Sequence, residues 1–187
     1  MTLPKLTLAV LPILFFLLRC TTAQVEDEKF HLPFKNPFTS KTCQNVFHSS
    51  FCKDFMNSIP IGKNGNLKDV GLVALDRTIA NVTNVQRLIK DLVKTANDPK
   101  VKNALTGCLQ NFVDVALQLA EATASFKTGR LVKVIGPVLG VVNDVLSCDQ
   151  SFQGAGNCPA APPPLADQNQ VIILLCTTVL GIITALI

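Results

Sequence analysis

Apolar residues recur at intervals of three and four from Leu67 to Ala96: Val70, Val73, Ala74, Ile79, Val82, Val85, Leu88, Ile89, Leu92 and Val93, with the aliphatic stem of Arg77 on the same face. That period predicts a long amphipathic helix. Asn97-Asp98-Pro99 ends it, because the residue before a proline avoids helical backbone. Lys90 and Lys94 near its end suit the negative pole of the helix dipole. A second helix is predicted from about Val101 to Phe126, with Leu105, Leu109, Phe112, Val113, Ala116, Leu119, Ala120 and Thr123 as its buried stripe. Asn111, Asp114, Gln118, Glu121 and Ser125 fall on another side of it, within an arc of roughly 100°. Lys127-Thr128-Gly129 stops this helix. A third runs from Arg130 to about Cys148 through Leu131, Val134, Val138, Val141, Val142, Val145 and Leu146, and Pro137 is expected to kink or split it.

The remaining segments are shorter or less regular. Phe47, Phe51 and Phe55 recur every four residues beside Cys43 and Cys52, which suggests a helical turn or a small hairpin closed by a local bridge. Pro60 to Asn66 is a breaker cluster. Val25 to Lys41 has Pro33, Pro37 and mixed charge without periodicity, and reads as a poorly ordered stretch. Gln153 to Gln170, with Pro162-Pro163-Pro164, reads as a linker. Val171 to Ile187 is polar only at Thr177, Thr178 and Thr184. Four helices with short connections and no strand hairpin imply an all-α fold, an antiparallel bundle.

Met1 to Gln24 has the form of a secretory signal peptide: Lys5, an apolar run from Leu6 to Leu18, then Thr21-Thr22-Ala23. Cleavage there removes Cys20 and leaves six cysteines, Cys43, Cys52, Cys108, Cys148, Cys158 and Cys176, for which 15 full pairings exist. Asn81-Val82-Thr83 is an N-glycosylation acceptor, consistent with secretion. The net charge of the whole chain is +4. Without Lys5 and Arg19 the chain has 15 basic against 13 acidic residues, a net of +2. So small a charge argues against a nucleic-acid partner. The chain has no Trp and no Tyr, so stacking platforms for sugars or bases are less expected. With two histidines, His31 and His48, a multi-histidine metal site is excluded and no cofactor is expected.

Catalytic patterns are missing. There is no phosphate-binding glycine loop, no nucleophile elbow and no metalloprotease helix motif. Cys158 with His48 has nothing to position the pair, and Asp69 with Asp76 reads as a solvated helix face. No catalytic residue is assigned, and a binding protein is expected.

Several motifs together carry a resemblance. Cys43 and Cys52 are followed by a long helix ending in Leu88-Ile89-Lys90-Asp91-Leu92. Then come Ala104-Leu105-Thr106-Gly107-Cys108-Leu109-Gln110-Asn111-Phe112, Ala116-x-x-Leu119-Ala120, and Val145-Leu146-Ser147-Cys148-Asp149-Gln150-Ser151-Phe152. This pattern, from about Lys41 to Leu186, resembles the plant invertase and pectin methylesterase inhibitor family. The resemblance implies a four-helix bundle at about 67–187 preceded by a short N-terminal helical hairpin at about 41–58. It also implies the disulfides Cys43–Cys52 and Cys108–Cys148, which leaves Cys158 and Cys176 as an extra pair or free thiols. The implied function is a secreted, stoichiometric inhibitor that covers the substrate cleft of a cell-wall enzyme, most simply pectin methylesterase, with acid invertase as the alternative target. Two departures are visible: Val46, His48 and Ser49 within the first cysteine interval, and Cys158-Pro159-Ala160-Ala161-Pro162 where some invertase inhibitors have Pro-Lys-Phe.

Asn111, Asp114, Gln118, Glu121 and Ser125 are the candidate enzyme-contact stripe. The apolar tail has two readings: the fourth bundle helix, favoured by the resemblance, or a lipid-anchor signal on a surface protein of structural or binding role. An intact Ile187 in the mature chain excludes the anchor. A lipid-transfer helical protein would show adjacent Cys-Cys and Cys-x-Cys pairs, and this chain has neither.

Overall fold

The computed structural model describes residues 37–44, 46, 48–60, 66–152 and 164–187. The leader-like segment 1–24 and Cys158 lie outside the described residues. The described residues form six helices: α1 Pro37–Cys43, α2 Ser49–Ser58, α3 Leu67–Thr95, α4 Pro99–Lys127, α5 Val132–Ser151 and α6 Ala166–Leu186. The fold is all-α. In the bundle, each of α3, α4 and α5 packs on the helix that follows it, and α6 closes the ring against α3. The α1–α2 hairpin rests on α6.

Local chemistry sets the helix ends. Asn66 caps α3 by accepting from the backbone N–H of Asp69. Asp98 both follows the end of α3 and caps α4, accepting from Lys100 N–H at 2.8 Å, with Pro99 in the first turn where its missing N–H costs nothing. Asn97-Asp98-Pro99 is therefore a start signal as well as a stop, and α4 begins two residues earlier than its apolar pattern suggests. At the other end of α4, Gly129 has φ 73°, and its N–H and that of Arg130 reach back to Phe126 O and Ser125 O.

The core positions step by three and four. On α4 they are Leu105, Cys108, Phe112, Val115, Leu119, Ala122 and Phe126; on α5 they are Val134, Val138, Val141, Val145 and Cys148. Leu165, at the edge of α6, and Asn169, Ile172, Cys176, Val179 and Ile183 continue the same register. On α4 and α5 this three–four spacing makes a narrow seam, whereas α3 and α6 also bury neighbouring positions such as Gly71, Leu75, Leu175 and Ile182 and present wider faces. Two glycines set close approaches. A Cβ on Gly71 of α3 would lie 2.3 Å from the ring of Phe126, and one on Gly181 of α6 would lie 2.1 Å from Val46. Gly181 is thus the seat of the hairpin.

Three expectations need correction. The buried stripe of α4 is rotated from the expected one: Val113 is 44% exposed, and Ala116 and Ala120 are also exposed. Apolar residues surround this helix, so composition did not fix its phase. Helix α5 runs through Pro137 as one element rather than splitting there; the carbonyl that loses its helical donor belongs to Lys133, an exposed residue of the first turn. Residues 37–40 belong to α1, and residues 166–170 belong to α6 rather than to a linker, because polar residues fill the first turn of that helix.

Helix α6 is long and apolar enough to cross a membrane by length and composition, with 44% of its most apolar stretch buried inside the bundle. Its buried face is wide because α3 and α5 press on it from one side and the hairpin from another.

Candidate functional site

The cysteines divide cleanly. Cys43–Cys52 joins the end of α1 to α2, and Cys108–Cys148 joins α4 to α5, all four fully buried. Cys176 is a buried free thiol on α6, and burial pushes its pKa up to about 12. It is an inert core residue rather than a nucleophile. Among the described residues no group of His, Cys, Asp and Glu could hold a metal ion. Asp69 is engaged with Asn66 at the α3 cap, so it is not half of a free carboxylate pair with Asp76. Asn81 lies inside α3, where its side-chain amide donates to Arg77 O at 2.9 Å. The glycosylation acceptor is therefore part of a continuous helix and not of a surface loop.

The five-residue stripe on α4 separates into two sets. Asn111, Gln118 and Ser125, spaced by seven, turn into the seam with α5 or the core. Asn111 donates to Asp144 O at 3.4 Å, Gln118 donates to Asp144 Oδ2 at 2.9 Å, and Ser125 is 5% exposed. Gly140 makes room for Gln118, since a Cβ there would lie 2.6 Å from Gln118 Oε1. Asp114 and Glu121 remain exposed. Beside them on the outer surface are Val113 and Leu117, the latter 66% exposed. The outward face of α4 thus combines two carboxylates with two large apolar side chains. Leu117 belongs to neither the expected buried stripe nor the polar one, so the sequence reading passed it over.

Two concavities stand out among the described residues. One of about 540 Å³ lies where the hairpin meets α6, lined by residues including Lys41, Val46, Leu67 and Leu180. A smaller one, about 130 Å³, lies between α3 and α4 at Ile79, Gln86, Ala116 and Ala120.

Comparison with known proteins decides the family. The sequence profile described as plant invertase/pectin methylesterase inhibitor matches residues 37–182, from the hairpin through most of α6. The chain belongs to this family. A pectinesterase inhibitor from Actinidia deliciosa is 25% identical over 125 residues, 67% of this chain and 68% of that protein. A putative invertase inhibitor from Platanus orientalis is 23% identical over 118 residues, 60% of this chain and 69% of that protein. The crystal structure of a mutant form of a pectin methylesterase inhibitor from Arabidopsis superposes with a TM-score of 0.68 at 21% identity, covering 78% of this chain and 95% of that one. A second, from Arabidopsis thaliana, gives 0.60 at 20% identity and covers 82% and 99%. The structural likeness concerns the fold; the profile match establishes the membership. The named relatives are inhibitors and not catalysts, and the chain's role is accordingly inhibitory. Relatives of both kinds occur, so membership leaves the choice of target enzyme open.

Proposed function

We propose that the protein is a secreted inhibitor of pectin methylesterase that docks the outward face of α4 over the enzyme's carbohydrate cleft and excludes the polymer. The observation that carries this reading is that outward face: Val113 and Leu117 in the open beside Asp114 and Glu121, on a helix tied to α5 by Cys108–Cys148. Exposed large apolar residues on a rigid element are the usual anchors of an interface, and neighbouring charges set its register and encounter rate. A preformed, cross-linked surface loses little conformational freedom on binding. The leader-like Met1–Gln24 segment supports delivery to the cell wall. Pectin methylesterase is favoured over invertase by the missing Lys-Phe after Cys158-Pro159.

The test is inhibition by Leu117→Asp and by the double variant Asp114→Lys/Glu121→Lys. Both sites are exposed, so the fold should be kept, and circular dichroism checks that. Each variant is expected to weaken inhibition about tenfold or more, the effect of removing an anchor or reversing contact charges. Unchanged inhibition by both would remove α4 as the contact surface.

A further inference from the structure

The bundle is closed at one end by a polar contact that the inhibitory surface does not use. Asn169, in the second turn of α6, is fully buried. Its Nδ2 donates to Asp149 Oδ1 at 2.7 Å, and it lies 3.8 Å from Sγ of Cys148 in the α4–α5 disulfide. Asn169 Oδ1 is buried and has no hydrogen-bond partner. Asp149 stands in the last turn of α5, where a negative charge opposes the helix dipole.

An ionised carboxylate can only accept, so it satisfies the amide nitrogen of Asn169 and leaves the amide oxygen without a donor. A neutral carboxyl group has one donor and one acceptor, the complement of a primary amide. We propose that Asp149 and Asn169 form a proton-completed clasp: a proton taken from solvent onto Asp149 Oδ2 is donated to Asn169 Oδ1, while Nδ2–H continues to donate to Asp149 Oδ1. The clasp then has two hydrogen bonds in place of one and fastens the start of α6 to the disulfide-tied end of α5 more firmly in acid.

The electrostatics agree in direction. Burial raises the pKa of Asp149, and the Asn169 hydrogen bond opposes that rise without reversing it. Other charged groups at this end of the bundle are Lys90, Asp91 and Lys94 on α3, Asp98 at the cap of α4, Lys100 and Lys102 on α4, Asp144 on α5 and Asp167 on α6. Among the described residues the salt bridge formed is Lys94 with Asp91, so none of these groups pairs with Asp149. The segment 153–163 adds no charged residue. A carboxyl whose folded-state pKa is raised contributes stability that is fully present below its unfolded value and is lost as pH rises through the folded value. The clasp concerns the fold and stands whichever enzyme the protein inhibits.

The experiment compares thermal unfolding of the full mature chain with that of Asp149→Asn between about pH 4 and about pH 7. Asparagine mimics the neutral carboxyl, with a donor and an acceptor in place. The two proteins are expected to have similar Tm values at the acid end, and the wild type is expected to fall behind the variant as pH rises. The difference isolates Asp149 from the other carboxylates. A difference constant across the range would overturn the clasp. Should the variant fail to fold, the side-chain amide protons of Asn169 in the wild type give an independent readout by NMR. They are expected to shift with a midpoint above the ordinary aspartate range, and a midpoint at or below that range would overturn the clasp equally.

Discussion

Phe112→Ala is expected to destabilise the protein by about 3–5 kcal/mol, the range for removing a buried aromatic ring from a packed core. Phe112 is the largest fully buried side chain among the described residues and lies midway along α4. Its loss leaves a cavity among residues fixed on neighbouring helices, and the Cys108–Cys148 bridge four residues away limits collapse into it. The backbone here is also tied down, since Gln86 of α3 donates to Phe112 O at 2.7 Å. Urea unfolding followed by circular dichroism measures the effect as a fall in midpoint at constant slope. A loss below about 1 kcal/mol would show that the core is loosely packed at this point.

The second large effect is expected from Cys108→Ala/Cys148→Ala. This bridge closes a sequence separation of 40 residues, whereas Cys43–Cys52 closes 9. Chain entropy alone then gives about 4 kcal/mol for the long loop and about 3 kcal/mol for the short one. Alanine is the informative substitution, because a buried serine would add an unsatisfied hydroxyl. The consequences should also differ in place. Loss of Cys108–Cys148 loosens α4 against α5 beneath the proposed contact face. Loss of Cys43–Cys52 frees a hairpin that sits on α6, at the far side of the ring from α4. Inhibition should therefore weaken more in the first variant than in the second, and inhibition titrations of the two measure this. The reverse order would place the contact surface at the hairpin.

Much of the fold is written in the chain because caps and periodicity agree. The start of α3 and the gap between α3 and α4 follow from Asn66, Asp98 and Pro99, whose side chains and ring act on their own backbone. Phase is harder. On α4 the apolar residues Val113, Ala116, Leu117, Ala120 and Ala124 almost encircle the helix with the true seam. Which of them face inward depends on the neighbouring helices, not on α4 itself. The polar positions were misread for the same reason. Asn111 and Gln118 look solvated in sequence, yet both find hydrogen bonds at Asp144 across the seam. Asn169 lay hidden within a polar stretch that resembled a linker, although its spacing of three from Ile172 continues the core register of α6. The pairing of Cys43 with Cys52 and of Cys108 with Cys148 rests on the family resemblance, since spacing alone leaves 15 arrangements; the structure forms both bridges.

The most direct test of the central claim is a titration of the purified mature protein against a plant pectin methylesterase and an acid invertase in parallel, at mildly acidic pH. The account predicts that esterase activity falls linearly and is abolished near one inhibitor per enzyme, with invertase unaffected. Undiminished esterase activity at a large excess of the protein would contradict it. Inhibition of invertase alone would preserve the inhibitory role and the fold but overturn the proposed target.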